Sequence, residues 1–179
     1  GVLTGLPASG LARHAVGAKS PLTGGFGGSE VGGFWGAELK RAGFDALIIQ
    51  GQADRPVYLW THDGEAEIRD AGHLWGLKTK ECQERLREEL EDPRVRVAQI
   101  GIGGENLVRY ACVMNDLKDA AGRGGLGAVM GSKRLKAIAV RGSGKITARD
   151  PKAIQEMAKW MSTHVAELSP GHHSVGTGG

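Results

Sequence analysis

Two segments roughly ninety residues apart repeat one local design, and that repeat limits the fold more than any other feature of the chain. The first runs Gly32-Gly33-Phe34-Trp35-Gly36-Ala37-Glu38-Leu39-Lys40 and closes on Asp45-Ala46-Leu47-Ile48-Ile49-Gln50-Gly51. The second runs Gly124-Gly125-Leu126-Gly127-Ala128-Val129-Met130-Gly131-Ser132-Lys133 and closes on Leu135-Lys136-Ala137-Ile138-Ala139-Val140-Arg141-Gly142. In each, a glycine pair opens a short helix of small residues and a β-branched strand follows at once. Similar strand entries lie upstream, at residues 11–16 and 107–112. The pattern predicts an α+β fold with an internally duplicated strand, glycine loop, helix and strand, its two halves sharing one site. A glycine pair at a helix start lets backbone N–H groups approach an anion closely, where the helix dipole also favours negative charge. Such glycines also serve tight turns and close packing with no ligand at all. Their repetition points to a ligand cradle.

The 179 residues suffice for a real core, as one domain or two small repeated lobes. Thirty glycines are punctuated by apolar strands, which separates the chain from low-complexity disorder. A net charge of +3, few aromatics and no Lys/Arg block argue against nucleic acid and suit small anionic ligands better. Cys82 and Cys112 form no C-x-x-C and no disulfide framework, so both read as buried free thiols of a cytoplasmic protein. No apolar run is long enough to span a bilayer, and no signal peptide is visible. The chain begins at Gly1 without methionine and ends in Gly176-Thr177-Gly178-Gly179, which reads as a fragment of a longer protein.

Along the chain, the patterns predict strands at residues 11–18, 46–50, 95–100 and 107–114, and helices over 33–42 and 78–90. His62-Asp63-Gly64-Glu65 marks a hairpin between strands at 57–60 and 66–69. Asp150-Pro151 starts a last helix, whose stripe of Ile154, Met157, Met161, Val165 and Leu168 reads as core packing. Past Ser169 a loop is expected. Two regions result: 1–150, a cofactor-binding unit, and 151–179, a helix and linker leading towards a further domain.

Several motifs fail on context. Strand 95–100 running into Gly101-Ile102-Gly103-Gly104-Glu105-Asn106 imitates a dinucleotide fingerprint, but the third glycine is missing and another strand is expected where a helix is needed. Gly131-Ser132-Lys133 lacks the spacing of a phosphate-binding loop. The scattered histidines, His172-His173 included, lack companions at metal-ligand spacing. Two arginines stand out instead. Arg13 lies ahead of the first glycine loop, and Arg123 immediately precedes Gly124-Gly125. A guanidinium beside such a loop suits bidentate phosphate recognition, whereas surface ion pairing would contribute little.

The motifs Lys19-Ser20-Pro21-Leu22-Thr23-Gly24, Gly32-Gly33-Phe34-Trp35-Gly36-Ala37-Glu38, Ile68-Arg69-Asp70-Ala71-Gly72-His73-Leu74-Trp75-Gly76, Gly104-Glu105-Asn106-Leu107-Val108-Arg109 and Ala120-Ala121-Gly122-Arg123-Gly124-Gly125-Leu126-Gly127-Ala128-Val129-Met130-Gly131-Ser132-Lys133 resemble the aldehyde:ferredoxin oxidoreductase family. The similarity covers nearly the whole chain and falls off after about Pro151. It implies most of an N-terminal domain, a duplicated α+β unit that forms the floor beneath a tungsten (or molybdenum) bis-pterin cofactor. By resemblance, Arg13 contacts a pterin between the cofactor and a 4Fe-4S cluster. Gly32 lies under one pterin phosphate, and Ala120, Gly122 and Arg123 lie under the other pterin. A magnesium ion between the phosphates is implied at the backbone carbonyls of Glu30 and Ala120. Two departures stand out: Glu30-Val31 replaces Asn-Ser in the first loop, and Asp119 replaces an arginine before the second. Two carboxylates near phosphates alter local electrostatics and suggest a divergent subfamily.

The resemblance further implies oxidation of a small aldehyde to a carboxylic acid, with electrons leaving through the cluster to ferredoxin or another carrier. The cluster's cysteines and the substrate-channel residues are expected downstream, so the fragment alone is expected to be inactive. No nucleic acid or membrane partner is expected, and homodimer and hetero-oligomer both stay open. Two other readings remain: a tungsten-pterin paralogue with another redox task, such as an aromatic acyl-CoA reductase subunit, and a non-catalytic nucleotide-binding module.

Overall fold

Residues 135–141 form the longest described strand, with four consecutive apolar residues from Ala137 to Val140, and they become the centre of the fold. A computed structural model describes residues 1–168; the expectations for Ser169 onward, His172-His173 included, fall outside the described residues. In chain order the described elements are β1 (His14–Lys19), β2 (Phe26–Val31), α1 (Trp35–Arg41), β3 (Val57–His62), β4 (Glu65–Asp70), α2 (Thr79–Glu89), β5 (Arg96–Gln99), α3 (Ile102–Glu105), β6 (Val113–Asn115), β7 (Asp119–Ala121), α4 (Leu126–Ser132), β8 (Leu135–Arg141) and α5 (Pro151–Leu168). Six strands form one sheet in the order β4-β3-β8-β5-β6-β7, in which only β3 and β8 pair in parallel. Strands β1 and β2 form a separate antiparallel ribbon.

Strand β8 shows no apolar/polar alternation because both of its faces are covered. On one face Leu135, Ile138 and Val140 pack with Trp35 and Leu39 of α1 and Leu126 and Met130 of α4. The Trp35 indole also donates from Nε1 to the Ile138 carbonyl at 3.0 Å. On the other face Ala137 and Ala139 leave room for Tyr58, Val97, and Cys82 and Leu86 of α2. The mixed α+β expectation is met.

Local signals account for several boundaries. Asp63 and Gly64 join β3 to β4 with φ values of 37° and 90°, as a type I′ hairpin turn requires. Gly43 takes a φ of 94° just past α1. Asp150 accepts from the Ala153 N–H at 2.9 Å and caps α5.

Other expectations need correction. Residues 46–50 form no strand, and Ile48 is 87% exposed. Both neighbours of β8 are already supplied, by β3 and β5, so this apolar run finds no backbone partner. Of residues 107–114 only Val113 and Met114 are in strand β6; the rest is turn and loop after the four-residue helix α3. Consequently the strand pairing does not display the duplication as two matching halves. Ribbon β1 begins at His14, which leaves Arg13 just ahead of it. The stripe on α5 is not core: no residue of that helix is buried, and Met157, Val165 and Leu168 are exposed. Amphipathicity identifies the apolar face of a helix, not what covers it.

Candidate functional site

Alternation along the β1–β2 ribbon sorts its side chains into two faces. Ser29 and Val31 turn inward and are buried, while Phe26, Gly28 and Glu30 turn outward. Across the ribbon, Ala15 pairs with Glu30, Gly17 with Gly28, and Lys19 with Phe26. The outward face is therefore paved by small residues at its middle. Opposite stands the loop after β7, and between them opens a cleft of about 810 Å³ lined by Arg13, Gly17, Phe26, Gly28, Glu30, Ala120, Gly122 and Arg123.

The ribbon is seated on the rest of the chain by close contacts. A β-carbon on Gly124 would lie 3.1 Å from the Cα of Gly27, so the second glycine pair abuts the ribbon backbone directly. The Arg123 N–H donates to Ser29 Oγ at 3.3 Å, and Asn115 Nδ2 donates to the Gly32 carbonyl at 3.0 Å. Asp119 lays its carboxylate against the first loop, where β-carbons on Gly32 and Gly33 would stand 3.2 Å and 2.9 Å from its oxygens. Gly33 also has a φ of 85°, which leaves glycine the only comfortable residue there.

The structure thus brings Arg13, Glu30, Ala120, Gly122 and Arg123 together around one cleft. It places Gly32 and Asp119 against one another, outside that lining. Both arginines are exposed, and among the described residues neither meets a carboxylate within ion-pairing distance. Glu30 is likewise unbridged among them. A β-carbon on Gly122 would meet nothing within 4 Å, so the second loop is open towards the cleft. Two unpaired guanidiniums over an open glycine loop can bind phosphate-bearing ligands.

Not every glycine serves a ligand. β-carbons on Gly125, Gly127 and Gly131 would fall 1.9 Å from the Arg109 carbonyl oxygen, 2.4 Å from that of Cys112 and 1.9 Å from that of Gly104. These three let α4 press onto α3 and the loop after it.

A second cavity of about 320 Å³ lies under the ribbon, between His14, Trp35, Leu126, Met130 and Ile138. Burial lowers the His14 pKa to about 4. The ring leans on Trp35 at 4.7 Å between centroids, and neither of its nitrogens finds a partner among the described residues. Elsewhere His62, Glu65 and Glu67 place ligand atoms within 4.8 Å of one another on the exposed β3–β4 hairpin. Glu67 there already accepts from His62 at 3.1 Å and from Arg69 at 2.9 Å. Cys82 is buried, which pushes its thiol up to about 11. No described helix is long and apolar enough to cross a membrane. Sequence reading missed Phe26, Ser29 and Asn115 as site builders; the glycines at mid-strand positions 17 and 28 were the available signal for Phe26.

Residues 1–142 match the family model described as aldehyde ferredoxin oxidoreductase, N-terminal domain. The chain is 52% identical over 159 residues to the tungsten-containing aldehyde ferredoxin oxidoreductase of Pyrococcus abyssi, covering 89% of this chain and 26% of that protein. It is 46% identical over 146 residues to the aliphatic sulfonate oxidoreductase, WOR-like subunit, of Pyrococcus furiosus, covering 75% of this chain and 23% of that one. Among solved structures, the active site complex BamBC of benzoyl coenzyme A reductase with 1,5-dienoyl-CoA superposes with a TM-score of 0.89 at 40% identity. That match covers 94% of this chain and 26% of the other. The chain spans about a quarter of the length of the curated relatives it matches.

Proposed function

The chain belongs to the aldehyde ferredoxin oxidoreductase family, and from that premise we propose that it is the cofactor-holding part of a tungsten bis-pterin oxidoreductase acting on aldehydes. The single observation that carries this reading is the cleft: each wall brings one guanidinium with no carboxylate partner among the described residues, Arg13 beside a ribbon of small residues and Arg123 on an open glycine loop. An anionic, phosphate-bearing cofactor fits that donor set. When bound, the tungsten-pterin group supplies two-electron oxidation of an aldehyde to a carboxylic acid, with water as the oxygen source. The protein's own residues bind and orient. Arg123 would hold a pterin phosphate by charge-assisted hydrogen bonds, and Gly122 would leave room for it. Arg13, on the opposite wall, would fix the other pterin and favour added negative charge nearby. A magnesium ion held by the backbone carbonyls of Glu30 and Ala120 suits their shared position on the cleft. Gly32 and Asp119 would act from behind, the carboxylate of Asp119 setting the first loop and weakening its attraction for phosphate.

Residues 1–150 would form this cofactor unit and 151–179 would lead on to further domains of a longer protein, which carry the cysteines of a 4Fe-4S cluster. We place the enzyme in the cytoplasm, passing electrons to ferredoxin or a similar carrier. The likeness to the benzoyl coenzyme A reductase complex favours a second reading, a paralogue acting on an aromatic thioester. Full-length protein assayed for tungsten, pterin, and turnover of aldehydes against aryl-CoA thioesters separates these readings. Tungsten with aldehyde oxidation supports the first; thioester turnover alone supports the second. Absence of both metal and pterin would leave a nucleotide-binding module.

A further inference from the structure

We propose that Phe26 is an aromatic platform on which a planar heterocyclic ring of the bound cofactor stacks, an inference that rests on the cofactor reading above. The ring of Phe26 lies across the middle of the ribbon. A β-carbon on Gly17 would stand 2.9 Å from its Cζ, and one on Gly28 would stand 3.2 Å from its Cε1. Neither glycine takes a left-handed φ, so the backbone does not demand glycine at either position. The ring does. An aromatic laid over a cross-strand glycine pair stabilises a ribbon, and that explains the lower face of Phe26.

The upper face is unexplained by any contact within the described residues: Phe26 is 84% exposed. It borders the same cleft as Arg13 and Arg123. From Phe26 to Glu30 the ribbon runs four residues, about 13 Å at strand rise. The ring end therefore offers a π surface beside Lys19, and further along the cleft Arg13 and Arg123 offer phosphate-binding charge beside the Glu30 carboxylate. That division matches a ligand with a planar ring at one end and a phosphorylated arm at the other. Offset stacking on a fixed aromatic adds attraction beyond area burial, and its preorganised support on glycine holds the platform in place beforehand.

The test uses the full-length holoprotein and follows cofactor loss under mild denaturant, by tungsten per protein and by fluorescence of the released, oxidised pterin. Stacking predicts that Phe26→Ala and Phe26→Leu each lose cofactor about tenfold faster, and that Phe26→Trp restores retention. Gly17→Ala should also accelerate loss, because the added methyl displaces the ring while leaving it aromatic. If Phe26 is instead apolar packing for another part of the protein, Phe26→Leu retains cofactor like the unaltered protein and Phe26→Ala shows only a lower melting temperature; that overturns the platform. Arg123→Ala separates the two levels of inference. Rapid loss in that variant with none in the Phe26 variants rejects the platform alone. A full-length protein with neither tungsten nor pterin rejects the cofactor reading with it.

Discussion

Lys136 and Glu105 form an ion pair from which solvent is excluded at both ends, the two side chains being 0% and 4% exposed. Lys136 also donates to the Leu77 carbonyl at 2.9 Å, and Glu105 accepts from the Gly76 N–H at 2.9 Å. The pair fastens central strand β8 to α3 and to the segment before α2. Its value lies less in attraction than in completeness, because removing one partner strands the other charge in the interior. Lys136→Met should lower stability by about 3–5 kcal/mol, whereas Lys136→Met combined with Glu105→Leu should lose less. Chemical denaturation of the two variants checks the order.

Arg123→Ala should reduce cofactor occupancy without unfolding the chain. The side chain is exposed and unpaired among the described residues, so its loss removes no packing. A charge-assisted contact of about 1.5–3 kcal/mol would disappear with it. Metal analysis of the folded full-length variant reads this directly, and full tungsten content would refute the role.

Arg13→Met addresses electron flow. If the cofactor and cluster are held as proposed, a fixed guanidinium near both would stabilise extra electrons on either and raise their potentials. The expected result is a stable protein that keeps much of its cofactor but passes electrons to ferredoxin more slowly. Stopped-flow reduction of metal and cluster, run beside thermal melts, checks it. Normal electron transfer in a destabilised protein would leave only a structural role.

His14 sets a pH dependence. Its pKa falls from 6.5 to about 4 in the folded chain, chiefly through burial. The unfolded chain then binds the proton more tightly, so stability is full above about pH 6.5 and declines as pH drops towards 4. The decline amounts to at most about 3 kcal/mol. His14→Phe should flatten this part of the profile in denaturation experiments between pH 4 and 7.

What the sequence revealed was what local physics encodes. The β3–β4 hairpin follows from Asp63-Gly64, and α2 from the spacing of Cys82 and Leu86. Arg123 stood out because small residues surround it. Residues 46–50 misled because a β-branched run advertises a wish for burial or pairing, while the partner is fixed by sheet order. The walls of the cleft were legible one at a time, yet their meeting was not. Gly32 and Asn115 are 83 positions apart, and Gly27 meets Gly124 through backbone alone. Such contacts leave no local pattern. Phe26 was passed over because a lone phenylalanine in a glycine-rich strand resembles ordinary sheet composition.

The separation of the β1–β2 ribbon from the six-stranded sheet has a consequence for how this scaffold diversifies. Outward positions such as Glu30 touch neither core cluster, so they are free to drift while the sheet keeps its packing. The seating contact at Gly124 has no such freedom, since its φ of 74° suits glycine and an added carbon there would press on the Gly27 backbone at 3.1 Å. Lineages built on this scaffold can therefore revise the chemistry of one wall by single substitutions while inheriting an unchanged spacing between the walls.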